Sequence, residues 1–527
     1  MSAKLFGLKT PLNNVSNVTS LTLAELRQRL TVLRDLSSLE ALEALQVHLI
    51  GIMQSTSNCI AEIIFDADVT AIVNDQILKR EGKPRSSLHG IPVCLSNCFS
   101  VRGEDCNGSI VLNSGSTCSA DCALVRNLRE VGAIPVALSN TAVLLGEPDS
   151  SNRLYGKVVH PTHPDRVVGP TSIAAIVEKR GAFLGFGLDV LGDVRLSAAN
   201  IGIVGFKPTA QRLSVKGIVR KIGDPELLPP TVGIVGLHVS DITDALEALT
   251  SVQVDSSVPP LPFKSDTSTG SLNIGVFTDC SGILSVVPGV ERLMSEVKAA
   301  LKAQGHNVIE VELPDPDEAV VLAFQALIAS NSDWNLHIKD HCGSSLSWHE
   351  IIRCCLPKLP LFLRRAICSL IQSKYKLESP ILKQLLEAWR KPLTEERISK
   401  AIEAYRLKFI DLWSDEEIDI LVGPAAPAPA LLKKTTDILA FLQTGYSAIF
   451  NIVNYPAGVV PFSRISKEDV SLATEVKVAP QSIEEQLLRQ QQNSEYLPLA
   501  VQVAGKPWAD SVVLRVMQEL ENAHPLS

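Results

Sequence analysis

The chain has 527 residues, of which 46% are hydrophobic, and 57 acidic against 49 basic residues give it a formal net charge of −8. This composition is typical of a globular protein with a sizeable core and excludes a disordered or fibrous chain. Proteins that bind nucleic acid generally present a basic face, so the acidic balance argues against a nucleic-acid partner.

The number and spacing of the cysteines indicate whether they form disulfides or metal sites. There are 11 of them, scattered along the chain, and none lies in a Cys-x-x-Cys motif. Three residues separate Cys94 from Cys98 and Cys118 from Cys122, and this spacing favours ordinary packing over a zinc site, which uses tighter pairs. We therefore expect reduced thiols, no metal and no other cofactor.

Two further observations bear on the membrane. The first residues, MSAKLFGLKTPLNN, contain no apolar signal region. No uninterrupted apolar stretch reaches the length of about 18 residues that a spanning helix needs. We expect an intracellular protein, either cytoplasmic or peripheral on a membrane surface.

Residues 20–53 predict a helical region near the start of the chain. Thr22 and Glu25 have the spacing of a capping box, and leucines recur at helical intervals after them. We assign residues 1–84 to an N-terminal helical segment and residues 85–520 to the main domain.

Between residues 88 and 250, short apolar runs alternate with helical patterns. The strings HGIPVCL and GAIPVAL are typical of buried strands, and DCALVRNLREVG is typical of a helix that ends at Gly132. Strands that alternate with helices predict an α/β fold whose sheet is covered on both faces.

The second half of the chain continues this alternation. Residues 251–272 are rich in Ser, Pro and Thr and predict a connector, and a strand–helix–strand pattern follows it. The largely polar segment 464–497, which includes the run from Arg489 to Gln492, predicts an exposed insertion.

Residues 351–376 combine six basic residues with long apolar side chains and contain no Asp or Glu. Pro357 and Pro360 divide the segment into two short helices. An interfacial helix of this composition would place its apolar side in the acyl boundary and its cations against anionic headgroups. From the residues alone, this interpretation and a helical hairpin packed on the protein's own core are equally open.

Six separate motifs, in order along the chain, resemble those of the amidase-signature family. They are HGIPVCLSNCFSVRG (89–103), GFGLDVLGDVR (185–195), GFKPT (205–209), IDILVGPAAPAPA (418–430), NYPAGVVP (454–461) and LPLAVQVAGKPW (497–508). The resemblance covers nearly the whole chain. It implies one large α/β domain with the amidase-signature fold, in which helices surround a large twisted mixed sheet.

Within this family, the strings SNRLYGKVVHP, KPTAQRLS, VPPLPF and NYPAGVVP are most similar to the fatty acid amide hydrolases. Segment 351–376 falls where those enzymes carry a membrane cap, so the resemblance favours membrane contact there. The side chains expected at the membrane are Leu361, Phe362, Arg364, Arg365 and Ile367. The resemblance also implies a fatty acyl lipid or a membrane surface as partner and allows a homodimer, and we expect no counterpart of the N-terminal transmembrane anchor.

Members of the family hydrolyse amides with a Ser–Ser–Lys triad. A serine attacks the carbonyl, a second serine on a cis peptide relays the proton, and a neutral lysine is the final base. In this chain the lysine position is Ser96, the relay position is Thr171 and the nucleophile position is Asp193. Ser172 is an alternative for the relay position, because the chain is slightly shorter than the family pattern here.

Each substitution removes one step of that chemistry. A serine hydroxyl is not a base near neutral pH, so Ser96 leaves the proton without a final acceptor. A cis peptide before Thr171 would cost about 3–4 kcal/mol, and nothing in the sequence offsets that cost. Attack on an amide by Asp193 would give an anhydride, which is an unfavourable route.

Backbone N–H groups form the oxyanion hole in this family, and the resemblance places them at Val190, Leu191 and Gly192. Hydrogen bonds from backbone N–H groups stabilise a carboxylate. We therefore expect the Asp193 carboxylate to occupy the oxyanion position itself. Asp189 and Arg195 match family positions that fasten this loop.

The favoured interpretation is a catalytically degenerate pseudo-amidase that resembles fatty acid amide hydrolase and binds a lipid or a membrane surface. The alternative is a divergent hydrolase of fatty acid amides. Its nucleophile would be Ser172, Ser96 or one of the nearby cysteines, Cys94 and Cys98, and His89 is the nearest histidine in the sequence to serve as base. A subunit that needs a partner enzyme is a third option, but it meets the same objection, because such members also depend on the triad.

Overall fold

A computed structural model describes most of the chain. The described residues are 17–105, 107–142, 149–219, 227–252, 254–280, 282–329, 359–375, 379–435, 437–480 and 482–524. Residues 1–16 of the expected N-terminal segment lie outside them, as do residues 351–358 and 376 of the basic apolar segment.

One mixed sheet of eleven strands runs through the described residues, and two further short strands pair with each other. The strands in chain order are β1 (Ile60–Ile63), β2 (Pro92–Ser96), β3 (Ile134–Ser139), β4 (Ser151–Asn152), β5 (Gly156–Lys157), β6 (Leu184–Asp189), β7 (Val204–Lys207), β8 (Thr231–Gly236), β9 (Asn273–Val276), β10 (Asn307–Glu310), β11 (Ile420–Pro424), β12 (Ala457–Arg464) and β13 (Pro498–Ala504). The order across the large sheet is β1-β3-β2-β6-β8-β7-β12-β13-β11-β9-β10, and β4 pairs with β5.

The pairing directions make this a mixed sheet, as the sequence predicts. β2 runs parallel to both β3 and β6. From β6 through β8, β7, β12, β13 and β11, each strand is antiparallel to its neighbour, and β11, β9 and β10 are parallel again. The central strands β2, β3, β6, β7, β8 and β13 are buried at every residue. Because successive side chains of a strand point to opposite faces, these strands are covered on both faces.

Helices pack around the sheet. Those that the structure describes are α1 (Leu23–Gln28), α2 (Ser38–Gln54), α3 (Ala67–Glu81), α4 (Ala123–Glu130), α5 (Ile173–Glu178), α6 (Asp193–Ile201), α7 (Val239–Ser251), α8 (Pro288–Ala303), α9 (Pro316–Ala329), α10 (Leu361–Tyr375), α11 (Pro380–Arg390), α12 (Glu395–Asp415), α13 (Asp437–Ile452), α14 (Lys467–Glu475), α15 (Ile483–Gln490) and α16 (Asp510–Ala523). None of these helices has both the length and the apolar character needed to cross a bilayer.

The N-terminal region is broken more often than its leucine spacing predicts. The capping box of Thr22 and Glu25 starts α1 as expected, but a π-helical turn follows and Arg34 adopts a left-handed conformation with φ of 55°. A second capping box, at Ser37, then starts α2. The same region also supplies β1, which pairs with β3 as an edge strand of the main sheet and was not predicted.

The polar segment 464–497 is not the exposed insertion that its composition predicts. It forms α14 and α15, and the side chains of Gln490, the last residue of α15, and of Gln491 are buried. The Gln490 side-chain oxygen accepts hydrogen bonds from the Leu432 backbone N–H and the Thr435 hydroxyl, both at 2.9 Å. Amide side chains with backbone partners can be buried at little cost, and composition does not reveal those partners.

Three carboxylates, those of Glu62, Glu104 and Asp105, lie where β1 contacts the loop that follows β2. The Glu62 carboxylate accepts a hydrogen bond from the Asp105 backbone N–H at 3.2 Å, and Glu104 accepts one from the Phe65 backbone N–H at 3.0 Å. One carboxylate oxygen of Asp105 is buried with no hydrogen-bond partner among the described residues. Burial and then the nearby charge of Asp105 raise the pKa of Glu62 to about 7.

The first prediction follows from this raised pKa. Between pH about 4.5 and about 7 the folded protein holds the Glu62 proton more tightly than the unfolded chain, so the free energy of unfolding should fall as pH rises through that window. Glu62→Gln cannot ionise and should flatten the fall. Denaturant titrations at pH 5, 6 and 7 measure the effect. Exposed Glu81, whose pKa is lowered by hydrogen bonding to Arg80, provides the matched control, because Glu81→Gln should leave the slope in this window unchanged.

Candidate functional site

The candidate site lies at one edge of the sheet. Ser96 ends β2, Ser139 ends β3 and Asp189 ends β6. Because these three neighbouring strands are parallel, their carboxyl ends meet at the same edge, where open α/β sheets commonly bind ligands. The α6 helix begins at Asp193, directly after β6. This arrangement brings together the residues that the resemblance assigns to the triad.

The positions of the lysine and of the relay serine are in direct contact. The hydroxyls of Ser96 and Thr171 are 2.8 Å apart and buried. The Thr171 backbone N–H donates to the Ser197 hydroxyl oxygen at 3.2 Å, and the Ser197 hydroxyl donates to the Asp193 carbonyl at 2.7 Å. Hydrogen bonds thus connect the three substituted positions. Among the described residues, no carboxylate, imidazole or amine is bonded to the Ser96 or Thr171 hydroxyl.

The Ser172 hydroxyl, the alternative for the relay position, bonds elsewhere. It lies within hydrogen-bond distance of two backbone carbonyls, those of Cys59 at 2.7 Å and Asn140 at 2.6 Å. Thr171, and not Ser172, therefore contacts Ser96. The described part of the chain contains no cis peptide bond.

The Asp193 carboxylate points into the turn that precedes it. Its Oδ2 atom accepts hydrogen bonds from the backbone N–H groups of Val190 at 2.9 Å and Leu191 at 3.1 Å. These are the hydrogen bonds that the sequence predicts for this side chain. The side chain is buried at the first residue of α6. A helix N-terminus also favours a negative charge there.

The third N–H group of the turn is occupied as well. The Gly192 backbone N–H donates to Asp189 Oδ1 at 3.0 Å. Gly192 has φ of 92°, and a Cβ at this residue would collide with the Ser447 side chain, so the turn requires glycine here. All three N–H groups that the resemblance assigns to the oxyanion hole therefore donate to a carboxylate of this chain.

A buried ion pair fastens this turn to the rest of the protein. The Arg195 guanidinium donates to both Asp189 carboxylate oxygens, at 3.1 and 3.0 Å, and both side chains are fully buried. Arg195 also donates to the side-chain oxygens of Gln502 at 2.7 Å and Asn451 at 2.6 Å. Burial pushes the pKa of Asp189 up, but Arg195 and Asn451 outweigh that effect and hold it below the usual value.

The sequence analysis did not single out Asn451 or Gln502. Gln502 is a polar residue within the otherwise apolar strand β13, and this break in the apolar pattern could have indicated a buried polar partner. Asn451 lies near the end of α13, and neighbours in the sequence give no sign of its partner, because Arg195 is 256 residues away.

Lys207, at the end of β7, belongs to the same buried region. Its ammonium group donates to the Pro208 carbonyl at 3.3 Å. Burial and then the charge of Arg195 lower the pKa of Lys207 to about 7, although Asp189 and Asp510 act in the opposite direction. This lysine belongs to the GFKPT motif, and its side chain is completely buried.

Ile173 fills the space beside Ser96. A Cβ built onto Gly187 of β6 would lie 2.9 Å from the Ile173 Cδ1 atom and 3.0 Å from the Ser96 Oγ atom. The isoleucine side chain and the serine hydroxyl therefore border the same small volume above β6.

The structure does not assemble the alternative nucleophile and base. His89 precedes β2 and so lies at the opposite end of that strand from Ser96, where its Nδ1 atom accepts a hydrogen bond from the Arg85 backbone N–H at 3.3 Å. Cys94 is fully buried, burial raises the pKa of its thiol, and its sulfur contacts the Ile173 carbonyl at 3.9 Å. Burial also keeps Cys98 from solvent.

Only part of the expected membrane-contact set is exposed. Phe362 and Leu370 on α10 are 70% and 69% exposed, and Leu363 joins them on the same face. Arg365 is exposed beside that face. The outer apolar side of α10 is thus available to a partner.

Two other residues of the expected set face the protein. Arg364 is half-buried and donates to the Leu359 carbonyl at 2.8 Å, and Ile367 packs against a small cluster formed by Cys368 and Trp389. This corrects the predicted contact set, because the helix turns these residues inward. The structure does not describe the side chain of Leu361, which starts α10.

Comparison with known proteins gives one consistent result. The Amidase family matches residues 40–514 of this chain. Fatty-acid amide hydrolase 1 from Sus scrofa is 27% identical over 480 residues, which cover 88% of this chain and 79% of the relative. Fatty acid amide hydrolase 1 from Caenorhabditis elegans is 26% identical over 484 residues, which cover 89% and 82%.

Solved structures show the same fold. Fatty acid amide hydrolase superposes with a TM-score of 0.77 at 20% identity, over 98% of this chain and 91% of that chain. Native peptide amidase from Stenotrophomonas maltophilia superposes with a TM-score of 0.67 at 18% identity, over 96% and 97%. The eleven-stranded mixed sheet and its surrounding helices are therefore the architecture expected from the sequence.

The second prediction concerns the buried ion pair. Asp189→Asn should lower the free energy of unfolding by about 3–5 kcal/mol, because it leaves the Arg195 charge buried and unpaired. Urea titration of the variant against the natural chain measures this loss. The exposed pair of Lys400 and Glu396 is the control, and Glu396→Gln should change the free energy by less than about 0.5 kcal/mol. Equal effects of the two substitutions would contradict a central role for Asp189.

Proposed function

The chain belongs to the amidase family, and from this premise we propose that it is a catalytically inactive member, a pseudo-amidase, that binds a fatty acyl lipid or a membrane surface. The single observation that carries the proposal is the position of the Asp193 carboxylate. It accepts the Val190 and Leu191 N–H groups at the point where an amidase must leave donors free for the substrate oxygen.

The first argument is electrostatic. An oxyanion hole works because donors are aimed at a position where negative charge develops only during the reaction. In this chain a permanent carboxylate already accepts those donors. A substrate carbonyl in the same place would meet an oxygen that repels developing negative charge.

The second argument is the missing base. A hydroxyl nucleophile needs a neighbouring group that accepts its proton. Ser96 and Thr171 bond to each other, and both are neutral hydroxyls. Lys207 is a neutral amine for part of its population near pH 7, but its hydrogen bond goes to the Pro208 carbonyl. The pair of hydroxyls therefore has no route to a base through the hydrogen bonds that the described residues make.

The relatives named fatty acid amide hydrolase support the choice of ligand class. They match 88% and 89% of this chain, and the solved structure of that name has the same fold. The exposed apolar face of α10 suits a lipid surface. Phe362, Leu363 and Leu370 would enter the acyl boundary, while Arg365 would meet anionic headgroups.

The third prediction is the absence of turnover. Loss of the nucleophile costs about 10⁶ in kcat in a well-studied serine hydrolase, and loss of further triad members adds little, so hydrolysis by the family mechanism should be undetectable. The purified chain would be incubated with long-chain fatty acid amides, fatty acid esters and short aryl amides, and the products read by mass spectrometry. An active amidase of the family serves as the positive control.

The variants Asp193→Ala and Ser96→Ala show whether any trace of product comes from these two residues or from background hydrolysis. We expect the natural chain and both variants to give the same background. Turnover that either substitution abolishes would overturn the proposal and identify a catalytic group.

The fourth prediction is lipid binding through α10. Sedimentation with vesicles that contain anionic lipid should recover the natural chain, and Phe362→Ser with Leu370→Ser should weaken the partition at least about tenfold, because each large apolar side chain contributes about 1.5–3 kcal/mol when fully buried. The matched control is Leu407→Ser with Ile410→Ser, which changes two exposed apolar residues of α12. A similar loss in both double variants, or no binding by the natural chain, would contradict contact through α10.

A further inference from the structure

A surface cavity lies where four segments of the chain meet: the residues before α1, the helix α2, the loop after β5 and the carboxyl end of α5. Its volume of about 270 Å³ is that of roughly nine water molecules at about 30 Å³ each, which suits a small metabolite. We call it the α5 cavity. Glu178 lies five positions, or about 8 Å, along α5 from Ile173, so the cavity is separate from the candidate site. The residues that line it are Thr19, His48, Pro161, Glu178, Lys179 and Arg180.

Two charged side chains of the α5 cavity have no partner within the described residues. Glu178 is half-buried, and its carboxylate forms neither an ion pair nor a hydrogen bond there. The same is true of the Lys179 ammonium group. Burial raises the pKa of the Glu178 carboxyl, while the charges of Lys179 and Arg180 act in the opposite direction. Partly buried charges of this kind gain from a ligand that supplies the missing partners.

Arg180 adds a second cation, and most of its donors are unused. Its guanidinium donates to the Leu21 carbonyl at 3.2 Å, and its other N–H groups have no hydrogen-bond partner in the described part of the chain. Arg180 also has φ of 58°, a left-handed conformation that glycine adopts at lower cost. The chain thus places a guanidinium at the cavity in spite of that cost.

His48 supplies a hydrogen-bond acceptor. Its Nε2 atom lies 2.7 Å from the Lys179 carbonyl oxygen, and a carbonyl only accepts, so Nε2 carries the proton. In the neutral ring the Nδ1 atom is then an acceptor. This Nδ1 atom has no partner among the residues that the structure describes. The cavity therefore offers two acceptors, on Glu178 and His48, and two cationic donors, on Lys179 and Arg180.

We propose that the α5 cavity binds a free acidic amino acid, a small molecule with one ammonium group and two carboxylates. The ammonium group donates to the Glu178 carboxylate and to His48 Nδ1. The two carboxylates accept from Lys179 and from Arg180, whose fork of N–H groups matches a carboxylate. One carboxylate and two cations line the cavity, so a ligand with one positive and two negative charges balances them. The inference does not depend on the proposed function.

A simple ion fits the α5 cavity less well. An anion without an ammonium group would leave Glu178 unpaired and would be repelled by its charge. A cation without a carboxylate would leave Lys179 and Arg180 unpaired. The expected specificity is therefore for both kinds of group in one molecule.

Isothermal titration calorimetry of the full chain at low salt tests this specificity. We expect L-glutamate or L-aspartate to bind at one site with a dissociation constant of about 1 mM or below. Glutarate lacks only the ammonium group of L-glutamate, and 4-aminobutyrate lacks only its α-carboxylate. Each should bind at least about tenfold more weakly than L-glutamate, because each leaves a charged group of the cavity without a partner. Equal binding of the three compounds, or no binding of either amino acid at about 10 mM, would overturn the proposal.

Substitutions at the cavity locate the binding. Glu178→Gln and Lys179→Gln should each weaken the binding of L-glutamate at least about tenfold, since each removes one charged contact. Glu475→Gln and Lys477→Gln change two exposed charges at the end of α14 and should leave the dissociation constant unchanged. Circular dichroism checks that each variant is folded. A dissociation constant that is the same in all four variants would contradict binding in the α5 cavity.

A measurement on the natural chain does not depend on how the variants fold. Acetic anhydride modifies accessible lysine amines, and mass spectrometry reads the extent of acetylation at each lysine. A saturating concentration of L-glutamate should lower the acetylation of Lys179 at least about threefold and leave that of Lys477 unchanged. Protection of neither lysine, or equal protection of both, would overturn the proposal.

Discussion

The ion pair between Asp189 and Arg195 is the interaction on which the architecture of the candidate site depends. It sits at the junction of β6 and α6, fully out of water, and its partners come from α13 and β13. A pair of buried charges is tolerated only when each partner is fully hydrogen-bonded. Here the guanidinium donates to three side chains and the carboxylate also accepts the Gly192 N–H. The pair therefore fixes the turn in space, and the direction of the amides at 190–192 follows from it.

The ion pair holds the turn in place. What the turn can do chemically then depends on which group accepts hydrogen bonds from the backbone N–H groups of residues 190–192. In an amidase the acceptor is the substrate for a brief part of the reaction cycle. In this chain the acceptor is Asp193, a residue of the turn itself, and the Ser96 and Thr171 hydroxyls nearby satisfy each other. Ile173 occupies the space next to them. The substituted positions thus form a complete set of internal contacts, and none of these contacts calls for a substrate.

The parts of this structure that could be predicted from the sequence depend on short-range chemistry. Asp189, Gly192, Asp193 and Arg195 lie within seven residues, so a motif shows both the turn and its hydrogen bonds. The capping box at Thr22 is also a local pattern, and the structure confirms it.

The parts that could not be predicted depend on partners far away in the chain. β1 pairs with β3 across more than 70 residues, and Gln490 is buried because Leu432 and Thr435 bond to it. A glutamine run looks the same in a sequence whether such partners exist or not. The inward turn of Ile367 on α10 depends in the same way on Trp389. The membrane-contact residues predicted from the composition of the segment and from the family resemblance therefore include side chains that pack against the protein.

The hydrogen bonds of Asp193 have a consequence for the stability of the turn. An active enzyme of this fold must tolerate unsatisfied donors in its resting state, and such strained sites trade stability for activity. The Asp193 carboxylate gives those donors a permanent acceptor, so it should stabilise the folded turn. Replacing Asp193 by serine should therefore lower the free energy of unfolding. Under the proposed function, such a serine would also give no hydrolysis by the family mechanism until a lysine and a relay serine were present as well.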